Sequence, residues 1–149
     1  MTRSINKTKR KQKRISAPML VTRTIANKAM ETRERAALIA FQFGVAQECH
    51  YDDLRYMMNL LMIAGQTDQS RKYALDYAQN VIKPVLLSIN NRYNNTGKLG
   101  VSASELIVLV QMIDFNLQFW LRQTTQLFKY ACIELDSFNS DLEKQRTAA

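Results

Sequence analysis

Turn-forming residues are scarce in this chain. Its 149 residues include only four glycines and two prolines. An all-β sandwich or barrel needs a turn roughly every ten residues, and the residues that make such turns are not here. Cysteine is equally rare. The two present, Cys49 and Cys132, are too few for a disulfide scaffold and, without a secretory signal, point to a reducing compartment. Long apolar runs are missing as well. The most apolar stretch, 106–121, is broken by Gln111, Asp114, Asn116 and Gln118, whereas a membrane span needs about 20 nearly unbroken apolar residues. A secretory signal needs roughly 7–15 apolar residues after a basic start. Here Ala17-Pro18-Met19-Leu20-Val21 stops at Thr22-Arg23, and the Met-Thr start does not fit the myristoylation pattern. The expectation is a cytoplasmic protein without a membrane span, in which the sequons at Asn6 and Asn94 carry no meaning.

The first 28 residues lack something more telling: they hold no acid. They carry nine basic groups, a charge of +9. Residues 29–149 set twelve basic groups against all thirteen acids, a charge of −1, so the whole formal net charge of +8 belongs to the N-terminal arm. Such asymmetry points to a polyanionic partner: nucleic acid, an anionic membrane surface or an acidic protein.

What remains is helical. At 46% hydrophobic the chain suits one domain, and a chain of this size buries roughly 70% of its unfolded surface without disulfide or metal. The expected architecture is all-α. A single bundle of four to five helices occupies 25–149, behind an arm over 1–24. Residues 1–14 offer almost nothing to bury and are expected to be disordered. Residues 15–24 read as an extended docking segment, because Pro18 biases Ala17 away from helix. Apolar spacing then predicts helices over about 28–47, 51–64, 68–93, 103–122 and 125–145. Asn27 and Thr67 read as N-caps, Asp52 and Asp53 suit the first turn of the second helix, and Gly65 fits its C′ position. Pro84 predicts a kink in the third helix or a new start near Lys83. Residues 94–100 read as a loop. Ser102-Ala103-Ser104-Glu105 is a capping box. The last two helices are separate or form one helix kinked at 123–125. The 103–122 helix is apolar on two faces, so it reads as central to the bundle or shared with a second copy, a homo-oligomer contact.

Candidate chemistry concentrates in the arm. Lys7, Lys9, Arg10, Lys11, Lys13 and Arg14, with Arg23, can neutralise phosphates and release counterions without fixed geometry. This pattern specifies a polyanion, DNA or RNA foremost, and no base sequence. Arg71 and Lys72 begin the third helix. Residues 57–79 admit a helix-turn-helix reading, with Gly65-Gln66-Thr67 in the turn and Arg71, Lys72 and Gln79 facing outward. Tyr73 and Tyr93 lie beside basic residues, a stacking pattern for single-stranded bases, though core-rim tyrosines look the same. Met57, Met58 and Met62 crowd the second helix, as core packing or an adaptable groove.

Catalytic and metal chemistry find no support. His50 is the only histidine; with Cys49 and Cys132 it lacks the paired spacing of zinc sites. Gly97-Lys98-Leu99-Gly100 is not a phosphate-binding loop, since Arg92 and Leu99 stand where glycine and Ser or Thr are needed. Asp114, the acid within the most apolar helix, reads as part of a polar strip with Gln111, Gln118 and Arg122. No cofactor and no catalytic residues are expected.

Three patches carry a resemblance: Arg14-Ile15-Ser16-Ala17-Pro18-Met19-Leu20-Val21, Thr96-Gly97-Lys98-Leu99-Gly100 and Phe119-Trp120-Leu121-Arg122-Gln123. They resemble segments of small uncharacterised proteins of bacterial phages and plasmids. The resemblance implies a mobile-element setting and carries over no activity and no site residues. The reading that results is a non-enzymatic nucleic-acid-binding accessory protein. Its alternative is a protein-protein interaction module, an adaptor or inhibitor of a host complex.

Overall fold

The computed structural model describes residues 16–148, with side chains from Lys28 onward. Among the described residues every regular element is helical: α1 (Ser16–Gln42), α2 (Glu48–Gln66), α3 (Lys72–Tyr77), α4 (Lys83–Thr96), α5 (Ala103–Leu121) and α6 (Thr125–Ala148). A 3-10 turn (Gln69–Arg71) leads into α3, and a π turn (Ala78–Ile82) joins α3 to α4. The stretch from Gln69 to Thr96 is therefore one rod, and five rods make the bundle.

Side-chain pairs fix how the rods run. Gly65 meets Leu75, the Tyr51 hydroxyl donates to the Leu86 carbonyl at 3.0 Å, and the Tyr93 hydroxyl donates to Glu48 at 2.6 Å. As residue numbers fall along α2 they rise along the third rod, so the two are antiparallel. The third rod and α5 oppose each other in the same way. Arg92 pairs with Glu105, Tyr77 stacks on Phe115 with ring centroids 4.0 Å apart, and Tyr73 meets Phe119 edge-on. α1 packs on both α2 and α5 and closes the ring, while α6 lies against α2. α2 is the hub. Leu54, Met57, Met58, Leu60, Leu61 and Ala64 are all buried along it, and only its ends and two outward residues, Asp52 and Arg55, are exposed. α5, which reads from sequence as central to the bundle or shared with a second copy, keeps an outward face. Gln111, Asp114, Gln118 and Arg122 lie there as expected, with Ile107, Val110 and Leu121 exposed among them.

Several boundaries differ from the sequence reading for local reasons. The segment 16–24 is helical, not extended. Pro18 falls in the first turn of α1, where backbone N–H groups have no intrahelical acceptor and proline is tolerated. Asn27 is thus internal. α1 ends at Gln42 and not at 47, because Gly44 turns the chain with a φ of +69°. α2 begins at Glu48, which puts Asp52 and Asp53 beyond its first turn; the His50 ring closes that end, its Nδ1 accepting from the Gln47 amide at 2.9 Å. Thr67 caps the C-terminal end of α2 and does not start the next helix. Gly65 lies inside α2 and not at C′. A Cβ there would sit 2.5 Å from the Leu75 amide nitrogen, so glycine is what lets α2 and α3 approach.

Pro84 does what its chemistry requires. The helix restarts as α4 at Lys83, and the π turn just before it widens the backbone where the proline ring would otherwise meet the Asn80 carbonyl. α4 runs on to Thr96, shortening the loop to 97–102. The capping box at α5 forms as read: Ser102 Oγ accepts from the Glu105 amide at 3.2 Å, and Glu105 Oε2 accepts from the Ser102 amide at 3.1 Å. Glu105 also receives both Arg92 guanidinium nitrogens, at 2.6 and 3.0 Å, so one carboxylate ties α4, the loop and α5 together. The Arg92 hydrogen bonds hold its carboxyl below the usual range. Ser102→Ala removes the cap acceptor and is expected to cost about 1 kcal/mol in urea unfolding; an unchanged midpoint would show that the cap is redundant with the Arg92 clamp. α5 and α6 are separate helices, broken at 122–124.

Candidate functional site

The basic residues singled out in the sequence fall into three groups. Lys7, Lys9, Arg10, Lys11, Lys13 and Arg14, and with them the expected disorder of 1–14, lie outside the described residues. Arg23 falls on the first half of α1, where the backbone is helical. Arg71 and Lys72 sit at the corner where α2 turns into the third rod, and there they part. Lys72 is exposed. Arg71 is drawn inward: its Nε donates to Gln123 Oε1 at 2.9 Å and its Nη1 to Thr67 Oγ1 at 3.3 Å, with the Asp68 carboxylate 3.9 Å away. It fastens the turn after α2 to the turn after α5. The helix-turn-helix geometry does not form either. Helices in that motif cross at roughly 90–120°, whereas α2 and the third rod lie side by side in antiparallel register from Glu48–Tyr93 to Gly65–Leu75.

The aromatic and soft residues are mostly structural. Tyr73 packs edge-on against Phe115 and Phe119, and Tyr93 is held by Glu48. Met57 and Met58 are core. Cys49 and Cys132 are free thiols, and among the described residues no three potential metal ligands converge. No helix among the described residues is long and apolar enough to cross a membrane.

The unusual chemistry is at an acid the sequence reading passed over. Glu34 of α1 is 1% exposed. Asn116 of α5, fully buried, donates from Nδ2 to Glu34 Oε1 at 2.7 Å, and the Trp120 indole donates to Asn116 Oδ1 at 2.9 Å. The Trp120 ring sits edge-on between Phe119 and Phe128. This relay fixes one carboxyl oxygen. The other, Oε2, is buried with no hydrogen-bond partner. Burial raises the Glu34 pKa from 4.5 to about 8; the Glu31 and Asp53 carboxylates push the same way, and Arg35 and the Asn116 hydrogen bond oppose them. At neutral pH Glu34 is therefore mostly a neutral acid.

Glu34 borders a cavity of about 380 Å³ between α1, α2 and α6. Asp52, Asp53 and Tyr56 line it from α2, Phe128 and Cys132 from α6, and Arg33 from α1. Burial, reinforced by Cys132 and Asp136, holds the Tyr56 phenol well above its ordinary range, and burial raises the Cys132 thiol as well. Tyr56 donates to Asp136 at 3.3 Å. A second hollow of about 480 Å³ lies further along α2, walled by Met62, Ile63, Tyr130, Leu135 and Phe138.

A sequence signal for Glu34 existed. Glu34, Ala37 and Phe41 are spaced three and four apart, so the acid falls within the apolar stripe of α1. Asn116 lies likewise between Ile113 and Trp120. Asp114, the acid that drew attention, is exposed on the polar strip where the spacing put it. Compared with protein-family models, curated proteins and solved structures, the chain matches none of them.

Proposed function

We propose that this chain is a non-enzymatic nucleic-acid-binding accessory protein of a bacterial phage or plasmid, acting in the cytoplasm. The observation that carries the reading is the partition of charge: +9 over residues 1–28 against −1 over the rest. The arm residues grip phosphates, and affinity comes from released counterions. α1 supports this arrangement, because a single helix starts at Ser16, just past Lys13 and Arg14, and continues through Arg23 and Lys28 into the bundle. Exposed Lys72 adds to the footprint, while Arg71 serves the fold. The bundle holds the arm and offers the outward face of α5, with Ile107, Val110 and Leu121, for association with a second copy.

The test is fluorescence anisotropy on matched single- and double-stranded DNA and RNA, at about 50 and 200 mM salt. Full-length protein should bind with a steep salt dependence. Removal of residues 1–14 should weaken binding sharply and flatten that dependence. Unchanged affinity in the shortened protein overturns the reading.

One observation favours the second reading, an interaction module acting on a host complex. From Asp136 to its end α6 is exposed throughout. Phe138, 60% exposed, and Leu142 continue the stripe that Ala131 and Leu135 bury against the body. An apolar stripe on a projecting helix is what a helix-in-groove partner takes up. Absence of nucleic-acid affinity in both forms of the protein, together with a captured protein partner lost on Phe138→Ser, would favour it.

A further inference from the structure

The outer half of α6 carries an apolar seam that its own bundle does not use. Phe128, Ala131, Leu135, Phe138 and Leu142 recur at alternating steps of three and four residues, the spacing of a coiled-coil seam. The first three pack against the body. Phe138 and Leu142 are exposed. They lie on the stretch from Asp136 to Ala148, where α6 is exposed throughout and which spans about 20 Å of helix. Beside Phe138 the seam opens into the hollow of about 480 Å³ between α2 and α6, walled by Met62, Ile63, Tyr130 and Leu135.

The charges along this stretch decide what covers it. Glu134 and Asp136 stand at its inner end, Lys144 and Arg146 at its outer end, and all four are exposed. Among the described residues none of them forms an ion pair within the chain. An anionic membrane surface would meet Asp136, Asp141 and Glu143 and be repelled. Residues 1–15 bring mostly positive charge, with Met1, Ile5 and Ile15 as their apolar groups, and do not suit an apolar groove. A second α6 running antiparallel matches both the seam and the charges. With Phe138 set opposite Leu142 of the second copy, the two-fold axis falls at Ser140. The inner acids of each copy then come level with the outer bases of the other. Lys144 faces Glu134 of the second copy on one flank of the seam, and Arg146 faces Asp136 of the second copy on the other. Tyr56 already holds Asp136 through Oδ1. A parallel pair would set like charges side by side and bring both bundles to the same end.

We propose that two copies of this chain pair through antiparallel α6 helices about a two-fold axis near Ser140, with Phe138 and Leu142 as the seam and the outer turns of each α6 covering the α2–α6 hollow of the other. The contact is isologous: the same patch serves both copies, so it closes as a dimer and does not propagate. It is independent of the arm, of the nucleic-acid reading and of the outward face of α5. Asp141 is the one dissonant residue. It flanks the axis and faces its own copy, a like-charge pair that weakens the dimer.

The experiment is sedimentation equilibrium of the full-length protein at low salt, from about 1 to 100 μM. The wild type should show a reversible monomer–dimer equilibrium. Phe138→Ser should weaken it at least about a hundredfold, because a symmetric contact loses the side chain twice. Its helix content, read by circular dichroism, should not change, since Phe138 is exposed in the single chain. Lys144→Glu should weaken the dimer about fivefold, and Glu134→Lys combined with Lys144→Glu should restore it. Asp141→Asn should tighten it. Ile107→Ser, on the outward face of α5, should leave it unchanged. A wild type that stays monomeric throughout overturns the pairing and leaves the α6 stripe to a groove on another protein. A dimer that survives Phe138→Ser, is lost with Ile107→Ser, fails to tighten with Asp141→Asn or fails to recover with the charge exchange overturns it as well.

Discussion

Glu34→Gln is expected to stabilise the protein by about 3 kcal/mol at pH 7 and by almost nothing below pH 4.5. The sign follows from the raised pKa. In the unfolded chain Glu34 ionises near 4.5, whereas in the fold it holds its proton to about 8. Between these values the unfolded state releases a proton that the folded state keeps, and each pH unit favours unfolding by about 1.4 kcal/mol. The contribution of Glu34 to stability is thus complete below 4.5, declines as pH rises and is lost above 8. Glutamine presents the same acceptor to Asn116 Nδ2 and has no proton to lose, so the decline disappears. Urea unfolding of both proteins from pH 4 to 9 measures it. A gap between the two that stays constant across this range, or a less stable variant at pH 7, would refute the assignment of Glu34 as a buried neutral acid.

Gly65→Ala is expected to do the opposite. In an open helix the change gains up to about 1 kcal/mol of propensity. Here the new methyl lies 2.5 Å from the Leu75 nitrogen and 2.9 Å from its Cα, both backbone atoms that cannot rotate away. Overpacking of this kind costs typically about 1–3 kcal/mol and sometimes more, so the steric cost wins and the expected net loss is about 2 kcal/mol. The α2–α3 hairpin must splay, which strains the Arg71 anchor at its corner. Gly100→Ala is the control, since a Cβ there meets nothing within 4 Å. Equal melting temperatures for the two variants would mean that the helices part at no cost.

The fold class was legible because its causes are local. Scarce glycine and proline, apolar spacing and the Ser102–Glu105 box specify helices one at a time, and those helices are present. Helix ends were less legible. Pro18 reads as a breaker until its place in a first turn is known, and Gly65 reads as a terminator until Leu75 is known to lie against it. Both depend on structure that the local sequence does not carry. The Glu34 site failed for the same reason. Its spacing places it among apolar residues, but the partner that makes it a buried acid, Asn116, is 82 residues away. The arm is legible as charge alone, and its residues 1–15 lie outside the described structure.

The π turn ahead of Pro84 has a consequence for how this rod tolerates change. It acts as one extra residue spliced into a helix, and each residue turns a helix by about 100°. Upstream of it, Leu75 and Tyr73 are set against α2 and α5. Downstream, Leu86 and Arg92 are set against Tyr51 and Glu105. The splice keeps these two halves in phase. A chain shortened by one residue anywhere in 78–82 would keep either half seated but not both. The length of this segment is therefore constrained more tightly than the identity of its exposed side chains.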